Sequence, residues 1–504
     1  MAYSNSPETS TYKSVNIEFT ATSWPRYNNA NIARDPEVIN MFFDRNSNEN
    51  QTRDFVLTKR GGLSSTGINL NKNTSTDRIN GYIQDPNNGL IYWSVNNKVW
   101  RYDGTSVDLI ATMGGTSPSG VGSVGFCFFL KSDGTRYLCI NNGTQLWYHD
   151  VSTLSATQVT DVDYPTPTSP TMVFLDGYLF VIKSGTGDIY NSDLDDPSAW
   201  TAGNYVTAEI NPDLALVLAK VKNYIVCFGA EGAEFFYDAA NTSGSPLSRN
   251  ESFYKPVILQ SSVCNVGDTL FFIGRYSTNS SQVFYLNGNE IKSISAPWVD
   301  RYISNLVGIS FGTDNINETH IFSFSSHGHH FIGINVNTNF VLVYDLEEGF
   351  WYKWSFGDSF NTTNNRVEVS VKDINEDQTL IVTGAQVNFS ALNDNTYRDF
   401  NTNFVCSYTA KDFDAETFNW KMCHRVGLHC DYPSTGGATS NVTISWSDDD
   451  GNTFSTPRNI SVTTNNPYIT QCGRFRTRNW RIAYADNYPF RMWGLSIDIN
   501  VGNI

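Results

Sequence analysis

The sequence predicts an all-β protein: a β-propeller-like repeat domain of about six blades, a C-terminal antiparallel β-sandwich, and an extended N-terminal arm. Three observations carry this prediction. Apolar residues make up 40 % and aromatics 14 % of the 504 residues, while charged residues reach only 17 %. That composition suits polar-decorated β surfaces better than helices laced with ion pairs. A strand, turn, strand unit ending in aromatic-x-Asp recurs along the chain, and beyond residue 365 the recurrence gives way to short alternating strands.

The clearest copies run from Asn88 to Gly104, Arg136 to Asp150, Asp176 to Asp193 and Asn223 to Asp238. Looser ones run from Asp268 to Gly288 and from His330 to Asp345. Between the terminal residues Asp103, Asp150, Asp193, Asp238, Asn287 and Asp345 the intervals are 47, 43, 45, 49 and 58. A period of roughly 40 to 50 residues with several strands per copy marks propeller blades, and the last interval leaves room for an insertion. Each hairpin exposes two faces that it cannot bury alone, and stacking blades around an axis covers both. A β-sandwich whose hairpins share a length by chance is the competing reading.

Residues 61–364 are therefore assigned to the propeller-like domain and 365–504 to a sandwich or platform. Its strands are Val367–Val371, Thr379–Val382, Asn441–Trp446, Trp480–Tyr484 and Leu495–Ile499, which alternate and are separated by turn signals. Residues 1–60 are polar and turn-rich around one apolar stretch, Val38 to Phe43; they read as an arm that docks on another body such as a neighbouring subunit. No long amphipathic helix is expected. Residues 209–221 come closest, but Pro212 and the β-branched residues there fit a strand equally well.

The net charge of −16 and pI of about 4.8 disfavour general attraction to nucleic-acid phosphates, since counterion release needs a basic surface. DNA that meets this protein should slide past it. With no run of eighteen apolar residues and no basic-then-apolar N-terminus, neither a membrane span nor a signal peptide is expected. Eight cysteines lie mostly inside apolar runs such as Gly125 to Phe129; buried free thiols and assembly in a reducing cytoplasm fit this better than a disulfide framework.

Ser447-Asp448-Asp449-Asp450-Gly451-Asn452-Thr453-Phe454 has the pattern of an Asp-box. Its short polar side chains can bond the turn backbone, Gly451 can take positive φ, and Phe454 can anchor the hairpin in the core; Ser447, Asp449, Gly451 and Phe454 form the expected structural set. The run Asp193 to Ser198 could offer oxygens to calcium, although a solvated loop is the simpler reading. Cys423, His424, His429 and Cys430 invite a zinc reading, but strand alternation points Cys423 and His424 to opposite faces. His327-Gly328-His329-His330 is read as a hairpin turn without a nearby carboxylate partner. Arg474, Arg476, Arg478 and Arg481 run against the acidic average. The first three should share one strand face, as a contact for an acidic partner or as a solvated edge. No G-x-S-x-G elbow, Walker A loop or H-E-x-x-H is present, and no catalytic residue, cofactor or metal is expected.

Taken in order, several segments resemble the packaged-DNA stabilisation proteins that form the tail nozzle of podoviruses. The resemblance runs from Asn40-Met41-Phe42 and Lys59-Arg60-Gly61-Gly62-Leu63, through Asp188 to Asp193 with Pro197-Ser198-Ala199-Trp200, to Tyr224 to Gly229 and Glu234 to Tyr237. It closes on Phe475 to Arg481 and Gly494 to Ile499. The family has a Pro-Gly where this chain has Gly61-Gly62, which implies a looser turn here.

The resemblance implies a non-enzymatic virion protein, assembled in the host cytoplasm into a homohexameric ring beneath the tail adaptor or head-to-tail connector. Such a ring continues the DNA channel and retains the packaged genome until release, with tail fibres or a needle-like plug as further neighbours. Double-stranded DNA would pass without sequence-specific binding, and no stable membrane association is implied. Six copies at −16 each carry −96, a field unlike that of a DNA binder. The alternative function is a carbohydrate-binding or glycan-degrading propeller, motivated by the Asp-box and twelve tryptophans; an extracellular repeat scaffold is a third.

Overall fold

The computed structural model describes residues 11–19, 37–45, 55–74, 77–115, 122–209, 214–229, 232–253, 262–277, 280–288, 290–306, 319–335, 340–357, 366–384, 386–432, 439–464 and 466–502. Among these, each of the six hairpins read from the sequence is the middle of one four-stranded antiparallel blade. Blades I to VI span Ile79–Thr112, Gly125–Gln158, Thr168–Thr207, Ala215–Phe253, Val263–Ser293 and His320–Trp354. A further blade, VII, is built from Val367–Lys372, Thr379–Thr383 and Asn388–Asn393, with Gly62–Asn69 as its outer strand. Six of these blades are separate four-stranded sheets; blade VI is the start of a nine-stranded sheet shared with the platform.

The apolar runs of the blades explain the ring. Neighbouring side chains on a strand point to opposite faces, so Leu138 packs against blade I while Cys139 packs against blade III. Likewise Phe271 faces blade VI and Phe272 faces blade IV. Separate cores follow one another around the ring, each shared by two consecutive blades, and the core between blades VII and I closes it. Among the described residues, each blade buries apolar side chains on both faces.

The Asp that ends each copy also has a structural cause. In four of the six copies it starts the turn between the third and fourth strands and accepts the backbone N–H two residues on: Thr105 to Asp103 at 2.9 Å, Ser152 to Asp150 at 2.9 Å, Ala240 to Asp238 at 2.7 Å and Glu347 to Asp345 at 3.0 Å. In blade VII, Asn393 does the same for Asn395 at 2.8 Å. Asn393 follows Asp345 by 48 residues, so the period continues past residue 365, where the sequence reading ended it. The long interval before Asp345 holds the helix Pro297–Leu306, whose Val299 and Ile303 are buried between blades V and VI. Ala215–Val221 is a strand.

Two expectations are corrected. The boundary at 364 is too early, because Val367–Lys372 and Thr379–Thr383 are blade strands and not sandwich strands. The N-terminal segment is no free arm in its described parts. Thr11–Glu18, Met41–Arg45 and Phe55–Lys59 are strands of a seven-stranded platform sheet with Arg491–Val501, Lys421–Cys430, Tyr468–Thr470 and Arg474–Phe475. Glu37–Ile39 joins blade VI to Cys406–Thr409, Asn479–Tyr484, Asn441–Ser447 and Arg458–Ser461. The two platform layers share one core that includes Val426, Ile497, Ile444 and Trp480, and fully buried Met41 and Phe43 account for the apolar stretch near the N-terminus.

Lys59 and Arg60 sit where propeller and platform meet. Arg60 is fully buried and binds both carboxylate oxygens of Asp399 at 3.1 and 2.6 Å, Asn40 Oδ1 at 3.2 Å and the carbonyl of Ser355 at 2.6 Å. Its guanidinium lies 3.8 Å from the centre of the Phe404 ring. Lys59 donates to the carbonyls of Tyr397 and Asp486, and burial pulls its pKa down to about 8. Gly62 packs closely on another part of the chain: a Cβ there would lie 2.2 Å from the carbonyl oxygen of Arg398. Removing one partner from a buried ion pair costs about 3–5 kcal/mol. Arg60→Leu should therefore lower the urea midpoint of the full chain by that equivalent, and adding Asp399→Leu should recover part of it; equal midpoints for Arg60→Leu and the wild type would refute the clasp.

Candidate functional site

Within each blade the first-to-second and third-to-fourth strand turns lie at one rim, so the turn-starting carboxylates collect on one face of the propeller. Asp103, Asp133, Asp150 and Asp238 all hold turn backbone there, and these hydrogen bonds keep Asp103, Asp133 and Asp150 below the usual carboxylate range. The acidity of this face is a by-product of the turn chemistry. Blades II and III are linked across it by Ser132, whose N–H and hydroxyl donate to Asp195 at 2.6 and 2.5 Å. Between these acids stand Leu130, Leu154 and Leu194, respectively 48 %, 53 % and 62 % exposed.

On the same face a cavity of 690 Å³ opens over the inner-strand ends and turns of blades VI and VII beside blade I, lined among others by Gln84, Ser325, His327, Lys372, Thr379 and Asp394. Its size is that of a small-molecule site.

The carboxylates of the Asp193 to Ser198 turn are engaged by the chain's own donors: Asp193 by Thr201, Asp195 by Ser132 and Asp196 by Ser198. This is the loop reading rather than the calcium one. The zinc reading fails on distance, because Cys423 to Cys430 lie on one continuous strand and seven residues at ~3.3 Å each separate the ends by roughly 23 Å.

The His327 segment is the expected hairpin turn, with His327 and Gly328 at positive φ. Its histidines do have carboxylate partners, which the sequence reading missed because they come from distant strands. His327 meets Asp394 at 3.0 Å, and His329 meets Asp345 at 2.9 Å and Asp44 at 3.9 Å. His329, Asp345 and Glu347 offer three donor atoms within 4.8 Å of one another. His329 donates to Asp345, and this bond together with the nearby Asp44 carboxylate raises its pKa to about 10, which favours the charged ring.

The Asp-box closes as expected in its polar half. Ser447 Oγ donates to Asp449 at 2.6 Å and accepts from Gly451 N–H at 2.9 Å, while Asp449 also accepts from the Thr453 N–H and hydroxyl. Gly451 has φ of 83°, and these bonds hold the Asp449 pKa down to about 2. Phe454 is a correction: it is half-buried, and the Arg481 guanidinium lies 3.6 Å from its ring centre. It anchors the hairpin to the neighbouring strand's surface instead of the core.

The arginines do not share one face. Arg478 is 1 % exposed and grips Asp448 through two bonds of 2.6 and 2.7 Å, packed against Phe475, Trp446 and Trp480. It is a strut between the Asp-box hairpin and the sheet. Arg474 and Arg476 are exposed and lie over Trp420 at 5.3 and 5.0 Å, with Arg476 also over Phe418 at 5.3 Å.

The family model described as bacteriophage P22 Gp10, β-propeller, matches residues 54–397. The chain belongs to this phage stabilisation family. The matched span starts one residue before the strand carrying Lys59 and ends just after blade VII, so it covers the whole ring and its closing strand. As a member, the protein is a bacteriophage structural protein of the DNA-stabilising kind and a virion component. No curated protein matches the sequence. Similar solved structures include the extracellular domain of BT4673 from B. thetaiotaomicron, at 16 % identity and a TM-score of 0.42, over 66 % of this chain and 40 % of that one. The Neurospora crassa Pan2 WD40 domain is similar at 8 % identity and a TM-score of 0.40, over 67 % of this chain and 95 % of that one. The chain thus spans less than half the length of the first of these.

The His329 cluster predicts a pH dependence. Its folded pKa of about 10 lies above the unfolded value of roughly 6.5, so its contribution is complete below pH ~6.5 and is lost as pH rises through ~10. The urea-midpoint difference between wild type and His329→Gln should be largest near pH 6 and shrink toward pH 10. A difference that stays constant over that range would show that His329 is not charged in the fold.

Proposed function

We propose that this phage stabilisation protein is a subunit of the nozzle ring that continues the DNA channel below the tail adaptor of a short-tailed phage. The ring retains packaged DNA and then releases it. The observation that carries this reading is the family match across the complete propeller and its closing strand. A physical feature supports it. A surface at −16 per chain repels phosphates, and a polyanion moves along such a wall without being held.

The test is genetic and biochemical. Particles made without this chain should package DNA and then lose it, leaving genomes open to nuclease, and adding the purified protein back should restore protection. Particles that keep nuclease-resistant genomes and infect normally in its absence would overturn the proposal.

A further inference from the structure

Among the described residues, two surfaces that carry exposed large apolar side chains are opposite in character. The platform sheet runs from Met41–Arg45, whose Phe42 packs on His329 and Phe331 of blade VI, out to the edge strands Tyr468–Thr470 and Arg474–Phe475. On that far edge Phe418, Trp420, Met422 and Tyr468 are 72 %, 44 %, 42 % and 56 % exposed, interleaved with exposed Arg474 and Arg476. Exposed aromatics alternating with arginines are the composition of a binding hot spot. Asp414 and Glu416 flank the strip on the approach loop, so its charge is polarised along its length.

The second surface is the turn rim of blades II and III, where Leu154 and Leu194 stand exposed among Asp133, Asp150, Asp193 and Asp195. The cationic strip lies at the end of the platform sheet away from the propeller, so within one chain the two do not meet. A twofold contact of the strip centred on its arginines would set arginine on arginine.

We propose that the arginine and aromatic strip of one copy docks on the acidic, leucine-bearing rim of blades II and III of the next copy. This is a head-to-tail contact, the kind that generates a closed ring when its rotation closes. It rests on the ring reading above and names the faces that make it. Arg474 and Arg476 meet the turn carboxylates, while Phe418 and Trp420 cover Leu154 and Leu194.

The test is charge exchange in the full chain, read by native mass spectrometry and negative-stain images at low and high salt. Wild type should assemble, with affinity falling at least tenfold as salt rises. Arg474→Glu with Arg476→Glu should give monomers, as should Leu154→Lys with Leu194→Lys, whose side chains already stand in water. Mixing the two variants, or placing all four substitutions in one chain, should restore assembly, and unchanged circular dichroism and melting will separate lost contact from lost fold. Either pair assembling like wild type, failure of the exchange to restore assembly, or a wild type that stays monomeric would overturn the proposal. A ring that forms undisturbed by these substitutions would leave the nozzle reading standing and remove only this interface.

Discussion

A β-sheet that is apolar on both faces has to find two neighbours, and this single constraint shapes the molecule. In the blades alternate residues of one strand belong to different cores, as Phe271 and Phe272 or Leu138 and Cys139 do. A row of such sheets always leaves two bare ends, so only a closed ring satisfies all of them. Closure falls to blade VII, which is incomplete until Gly62–Asn69 supplies its outer strand. The residues just before that strand are Lys59 and Arg60, buried between propeller and platform. Ring and platform are thus secured by the same few residues.

The charged groups at this closure act on geometry more than on net stability, because desolvation offsets much of what a buried pair gains. Glu368 is fully buried on the inner strand of blade VII and meets Lys72 at 2.7 Å, Arg78 at 3.3 Å and Arg366 at 3.7 Å. It also accepts the N–H of Ile79 at the start of blade I at 3.2 Å. An unpaired carboxylate or cation here would be costly, so wrong registers between the last blade and the first are penalised. Arg60 plays the same part for the platform: its planar fork fits Asp399 only when the chain leaves blade VII along one path.

Much of this was legible in the residues, and the parts that were not share a cause. The hairpins, their period and the insertion before Asp345 follow from local alternation and turn chemistry. The closing blade escaped notice because its fourth strand lies more than 300 residues away from the other three, and its hairpin ends in Leu392-Asn393 without the aromatic pair. The interval of 48 residues from Asp345 to Asn393 was the available signal. At the candidate sites, the Asp-box polar bonds were readable because donor and acceptor are within four residues. Partners joined only by folding were not, as with His329 and Asp44, Arg60 and Asp399, or Arg478 and Asp448. Arg478 departs from simple alternation because it lies between two strands and not within one, so its side chain turns inward while Arg474 and Arg476 stay in water.

The acidity of the protein has a structural origin. A turn that begins on Asp bonds its own backbone, and repeating that turn in several blades gathers carboxylates on one rim whether or not anything binds there. The bonds that fold the turn also stabilise the ionised form, as the lowered pKa values of Asp103 and Asp150 record. At Asp103 and Asp150, protonation would therefore weaken the same bonds that hold the turns.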